Sequence, residues 1–159
     1  MDKQDKQAYI VVKMILAEPM TIGAYNDYRG WKMPPAENRD DEGYLVVYPD
    51  SDGYESWSPK AVFDAAYFPL TSRGVITPED VERFVGEGAI LSSKLGAKTT
   101  VAQARCLTGF EVTEASSCVV EKNYDQNKGT EIAIGRIQSK IWAHLGFVLQ
   151  WAIHGLKNG

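Results

Sequence analysis

The chain has 159 residues, 44% of them hydrophobic, and a formal net charge of −4, enough for one medium domain or two small ones whose interior holds without disulfides. Residues 1–74 carry 8 basic and 12 acidic side chains and residues 75–159 carry 9 of each, so neither half has the cationic surface that duplex nucleic acid binding by counterion release calls for. No apolar run approaches the roughly 20 residues of a membrane span, and MDKQDKQ followed by a short apolar stretch is not a signal peptide, so neither membrane nor nucleic acid is an expected partner.

In chain order, Ala8 to Leu16 (AYIVVKMIL) reads as a strand buried on both faces and the central partner of a later hairpin, ended by Glu18 and Pro19. Thr21 caps a short helix, Ile22 to Arg29, and Gly30 is its left-handed stop, with Trp31 folding back on the helix or the sheet. Pro34 to Glu42 (PPAENRDDE) is a solvated acidic loop. Asp40, Asp41 and Glu42 have metal-ligand composition but no fixed geometry, so no metal is expected there.

The most legible stretch is Gly43 to Tyr67. Tyr44 to Tyr48 is a β-branched and aromatic strand, the cluster Asp50 to Gly53 turns the chain, and Tyr54 to Trp57 completes a hairpin. Ser58 is placed as the cap of a helix that starts at Pro59 and runs to Tyr67. Its apolar residues Val62, Phe63, Ala66 and Tyr67 recur at helical spacing and turn one face to the hairpin.

Pro69 and Gly74 bracket a polar stretch that divides the chain into a first module, 1–70, and a second, 75–159. The second opens on Thr77 as a cap, Pro78 next, and Glu79 and Asp80 in the first turn. Val81, Phe84 and Val85 form that helix's apolar face, and Gly86 and Gly88 stop it. Ala89 to Lys98 fits neither template. Thr99 or Thr100 caps a helix over Val101 to Leu107 that Gly109 closes, followed by a short strand, Phe110 to Val112. Ser116, Ser117 and Cys118 are small enough for a close backbone approach.

From Asp125 the chain reads as helical to its end, with a stripe of Ile134, Ile137, Ile141, Leu145 and Val148 and a break or kink at Gly146. Trp142 and Trp151 need not share a face. A helix so apolar asks for more cover than one small module supplies, which predicts a homo-oligomer. The fold class is therefore α+β: a small antiparallel sheet with short helices, then a mainly helical C-terminal module.

Catalytic motifs are missing. There is no phosphate-binding glycine loop and no nucleophile elbow, and His144 and His154 sit in the last sixteen residues as helix-surface side chains. Cys106 and Cys118 match no zinc spacing and read as small core residues in a reducing cytosol. The expectation is a protein that is not an enzyme and takes no cofactor. The cations of the second module have two readings. Arg136 and Lys140, one turn apart, form a solvated strip balanced by Glu131; alternatively, with Arg105, they make an anion cradle in which Phe110 or Tyr124 stacks on a base. Arg29 beside Trp31 is a weaker pair of the same kind, the first reading there being a core tryptophan with an arginine over its rim.

The runs EPMTIGAYNDYRGW, EGYLVVY and SWSPKAVFDAAY resemble an N-terminal module of small proteins of tailed bacteriophages and prophages, some of whose bearers and fusion partners look like Thoeris or CBASS anti-defence proteins. The second half is similar to a phage accessory family marked by TGFEV, a Ser-Cys patch, the segment Asn123, Tyr124, Asp125, and a terminal KIWAHLGF. The resemblance implies a sponge in the host cytoplasm that holds a cyclic oligonucleotide or cyclic ADP-ribose type signal without chemistry. The candidate ligand residues for it are Arg105, Phe110, Asn123, Tyr124, Arg136 and Lys140, with Arg29 and Trp31 in the first module. The rival is an accessory protein that binds and inhibits a host protein.

Overall fold

The computed structural model describes residues 6–86 and 88–157. The chain forms two compact units. One reaches to Pro69 and takes the chain up again at Gly155; the other is Leu70–His154.

The first unit is an antiparallel sheet in the order β1-β2-β3, with β1 Leu16–Pro19, β2 Gly43–Val47 and β3 Glu55–Pro59. The legible strand is the central one. Leu45 pairs with Trp57 on one side and Glu18 on the other, and both Leu45 and Val46 are buried. Because side chains alternate along a strand, those two residues face opposite sides of the sheet. On the Val46 side, α2 (Lys60–Ala66) stacks Phe63 on Tyr44 with ring centroids 4.0 Å apart. On the Leu45 side, α1 (Ile22–Arg29) joins the sheet through the Tyr28 hydroxyl, which donates to the Glu55 carboxylate at 3.0 Å.

Three expectations for this unit are corrected. Ala8 to Ile15 is in no strand, and β1 begins only at Leu16, at the sheet edge, with all four residues exposed. Leu16 pairs with Val47, the last residue of β2, and beyond it the partner chain turns at Tyr48 and Ser51, so among the described residues no strand is left for the earlier ones to pair with. Pro19, expected to end a strand, closes this one, which an edge position permits. Ser58 is not a helix cap: it is paired with Tyr44 in the ladder, α2 starts after Pro59, and Pro59 as N-cap makes no side-chain bond. The strand runs two residues further than its composition suggests and displaces the helix start. Val62, assigned to the packed face of α2, is exposed.

Elsewhere the local rules hold. The Thr21 hydroxyl accepts from the Ala24 amide at 3.2 Å, and Gly30 stops α1 at φ 68°. The loop Pro34 to Glu42 is exposed throughout, as its composition suggests, yet its backbone is tied to α1. The Asp41 and Arg39 carbonyls accept from the Ile22 and Gly23 amides at 3.0 Å, so the acidic loop satisfies the open N–H groups of α1.

In the second unit, α3 (Pro78–Val85) has the expected start completed as a capping box, Thr77 and Asp80 exchanging bonds. The ambiguous stretch is β4, Ile90–Leu95. The predicted helix over Val101 to Leu107 is instead β5, Thr99–Arg105, the centre of a sheet ordered β4-β5-β6 with β6 at Glu111–Ser117. The period decides it: Thr100, Ala102 and Ala104 are buried while their neighbours are not, a two-residue alternation. Helix-forming alanines and the capping appearance of Thr99 hid that alternation. Gly109, at φ 82°, supplies the left-handed position of the β5 to β6 turn rather than a helix stop, with the Cys106 amide donating to the Phe110 carbonyl at 2.8 Å. The unit therefore holds a three-stranded sheet as well as its helices, and the whole is α+β.

A single-turn 3-10 helix, Glu121–Asn123, leads into α4, Gln126–His154, whose first amides, Asn127 and Lys128, donate to the Asp125 carboxylate. Gly146 does not break this helix. Its buried stripe is Gly129, Ala133, Ile137, Ile141 and Leu145, every fourth residue, and it packs with Ala102, Ala104, Val112, Val81 and Val85 into one core. Val148, expected in the stripe, is exposed. The sheet covers that stripe, while Ile132, Trp142, Phe147 and Val148 on the same helix stay exposed.

Small residues let helix and sheet approach. A Cβ added at Gly129 would lie 2.3 Å from Thr100 Oγ1, whereas at Gly135 or Gly146 it would meet nothing within 4 Å. Thr100 is buried and bonded to the Tyr124 hydroxyl at 2.9 Å, so it has nowhere to move. Gly129→Ala is expected to lower stability by about 1 kcal/mol net, overpacking of about 1–3 kcal/mol exceeding the helix-propensity gain of roughly 1 kcal/mol. Gly135→Ala and Gly146→Ala are expected to raise stability by about 0.5–1 kcal/mol. Urea midpoints for the three variants check the contrast; equal shifts would remove the close approach.

Candidate functional site

The structure does not gather the predicted ligand residues of the second unit. Along β5, Thr100, Ala102 and Ala104 face α4, so by alternation Arg105 points to the opposite face of the sheet. There it bonds its register partner Glu111 at 3.1 Å. Arg136 and Lys140 lie on α4, across the sheet from Arg105. Arg136 donates to the Ala115 carbonyl on the edge strand β6, and Lys140 is paired with Glu114, whose carboxyl that lysine holds below the ordinary carboxylate range. Glu131, the expected counter-charge, is not the one used.

The predicted stacking residues separate as well. Phe110 sits at the β5 to β6 turn with its ring edge-on to His144 at 6.0 Å. Tyr124 spends its hydroxyl on Thr100 and carries the Lys94 ammonium over its ring at 4.7 Å. Asn123 ends the 3-10 turn, with its amide donating to the Val120 carbonyl. Cys106 is buried, which pushes its thiol up and leaves it inert, and the half-buried Cys118 thiol donates to the Val120 carbonyl at 3.1 Å. Among the described residues no cluster of three or more His, Cys, Asp and Glu side chains is placed to hold a metal, and no helix is long and apolar enough to cross a membrane.

The clefts do not favour phosphate either. The one of about 640 Å³ in the first unit is lined by Glu37, Asp41 and Glu42 against the single cation Lys60, itself paired with Asp64 at 3.3 Å, with Trp57 as its aromatic wall. Three carboxylates around the mouth repel an anion. A smaller cleft of about 230 Å³, beside Pro78, Gly135 and Trp142, has Glu82 as its charged side chain.

The residues that do come together are those of the weaker pair. Arg29, in the last turn of α1, lies with its guanidinium 4.7 Å from the centroid of the Trp31 ring and 3.8 Å from the Glu55 carboxylate. Tyr28 donates to the same carboxylate, which raises its hydroxyl pKa by stabilising the protonated form. Trp31 is 53% exposed and rests edge-on against the buried Tyr25 at 5.9 Å. The turn at Gly30 makes this possible: its left-handed backbone sends the Trp31 amide back to the Asn26 carbonyl at 2.8 Å and so fixes the indole beside the helix. Tyr28 and Glu55 were not read as members of this site. The signal for Tyr28 was its spacing of three from Tyr25 and Trp31; Glu55 had none, because it arrives from another strand.

No curated protein and no solved structure matches the chain. The second unit does have a family: from Ile76 in its core, through the capped α3 and the sheet, to the last turn of α4, it fits one model. Residues 76–153 are a domain of the phage protein (N4 Gp49/phage Sf6 gene 66) family.

Proposed function

We propose that this phage-family protein acts in the host by binding another protein, without catalysis, and that the Tyr28, Arg29, Trp31 patch of its first unit is the contact. The observation that carries this reading is a half-exposed tryptophan with an arginine over its face and an exposed tyrosine beside it, both held by Glu55. Trp, Tyr and Arg are the residue types that dominate interface hot spots, and side chains already held in one conformation lose little entropy on binding. Acidic residues line the cleft of the same unit, which suits a basic protein surface better than a phosphate.

The nucleotide sponge is the second reading. It rests on the resemblance of the first module and on the same Arg29 and Trp31, a cation and a stacking ring side by side; against it, Arg105, Arg136 and Lys140 are each engaged within the chain. Thermal melting separates the two readings. A ligand that binds only the folded state at a hundred times its dissociation constant contributes about 2.7 kcal/mol, which is roughly 5–10 °C for a chain of this size. Cyclic di- and trinucleotides and cyclic ADP-ribose are expected to leave the melting temperature unchanged. A host protein is expected to be retained by the wild type and lost by a Tyr28→Ala, Trp31→Ala double variant of unchanged melting temperature. A nucleotide that raises the melting temperature and comes off intact would replace this reading with the sponge; one recovered hydrolysed would make the protein an enzyme.

A further inference from the structure

The segment Lys6–Ile15 holds the strongest run of strand-forming residues in the chain, yet among the described residues no backbone hydrogen bond ties it to the sheet. Tyr9, Ile10 and Val11 are 87, 80 and 72% exposed, while Val12, Met14 and Ile15 are half-buried. The segment leads directly into β1, whose outer edge faces no other strand among the described residues. An unpaired edge continued by an apolar, β-branched stretch is a template for another strand.

We infer that this edge is an interface between two copies of the chain, paired antiparallel about a two-fold axis at Val12. The sequence is self-complementary in that register. Position i of one copy meets position 24 − i of the other, so Val12 meets its own equivalent and Ile10 meets Met14. At the two ends Lys6 lies opposite Glu18, which joins opposite charges across the edge. Shifting the pairing by two residues in either direction loses both charge pairs, setting Lys6 against Met20 or against Leu16. The even-numbered positions share one face, so pairing makes a continuous apolar strip from Ala8 to Leu16 bounded by those charges. The two three-stranded sheets then join through β1 into one of six strands, with both β1 edges covered. A C2 contact of this type is isologous. With about thirteen residues from each copy it falls below the 20–30 of a standard interface, so a roughly micromolar dimer is expected.

Sedimentation or light scattering of the full chain over a range of concentrations tests this. The expected result is a shift from 17.6 kDa to twice that value as concentration rises through the micromolar range. Val12→Pro removes an amide at the centre of the pairing, outside every helix and strand of the monomer, and is expected to weaken the dimer at least about a hundredfold with unchanged far-ultraviolet dichroism. Lys6→Glu and Glu18→Lys are each expected to weaken it roughly three- to tenfold, and the double exchange to restore it. A monomer at every concentration overturns the proposal and leaves the edge to a strand of another protein. A dimer indifferent to Val12→Pro places self-association on another surface, and failure of the double exchange to rescue overturns this register.

Discussion

Asp80→Ala is expected to cost about 3–5 kcal/mol, the largest effect of any single charged residue in the second unit. The Asp80 side chain is 0% exposed, and its carboxylate accepts from the Thr71 amide and hydroxyl, both at 2.8 Å, from the Thr77 amide at 2.9 Å and from Arg83 at 2.6 Å. It thus ties the start of α3 to the segment that enters the unit. Removing it takes the acceptor from the part-buried bonds of the Thr71 and Thr77 amides, at about 1–3 kcal/mol each, and breaks the ion pair with Arg83. Burial alone would raise the Asp80 pKa, but the bonds from Thr77, Thr71 and Arg83 outweigh it and hold the carboxyl far below the ordinary range.

The sign of the pH dependence follows from that direction. A carboxyl that titrates near 3.9 in the unfolded chain and lower in the folded one contributes its stability fully above about pH 5. That contribution is lost as pH falls through the unfolded value toward the native one. Chemical denaturation at pH 7 and pH 3 is expected to show a smaller loss on acidification for Asp80→Asn than for the wild type. Parallel acid losses would mean that Asp80 titrates normally and that the carboxylate bonds do not hold in solution.

Ile137→Ala is the second large effect, at about 2–5 kcal/mol. Ile137 is 0% exposed at the middle of the α4 stripe, between Ala133 and Ile141 and in the cluster with Ala102, Ala104 and Val112. The small alanines of β5 cannot fill the space it leaves, because their Cβ atoms are already the contact. Ile132, on the same helix and exposed, is expected to tolerate the same change within about 0.5 kcal/mol. Denaturation midpoints decide. Similar losses at the two positions would mean that α4 is not packed on this sheet by the stripe that ends at Leu145.

These two residues differ in how far the sequence announced them. Asp80 was visible as a first-turn acid after Thr77 and Pro78, and Ile137 as part of a helical stripe. The number of bonds on Asp80 was not visible, because two of them come from Thr71, nine residues upstream. The patch around Arg29 shows the same division: the helix, its cap and its glycine stop were legible, and so was the pairing of Arg29 with Trp31. Glu55, which holds Arg29 and Tyr28, reaches them only because β3 lies beside α1. The partners of the cradle's cations were hidden for the same reason. Those cations were counted along the chain, and the groups that engage them, Glu111, Glu114 and the Ala115 carbonyl, come from β6.

The sequence by itself determined what depends on neighbours within a turn or two: the capping box at Thr77, the left-handed stop at Gly30, the hairpin turn before Glu55, and the long helix beginning after Asp125. Each is satisfied by bonds between residues a few positions apart, whose energies do not depend on the rest of the fold. Only the tertiary structure decided that Thr99–Arg105 is a strand, that the apolar stretch before Leu16 stays outside the sheet, and that Gly129 must remain small. A strand gains its hydrogen bonds from chains distant in sequence, so its formation depends on whether a partner edge is within reach. β5 has β4 and β6 on its two sides; for residues 8–15, β2 has already turned away.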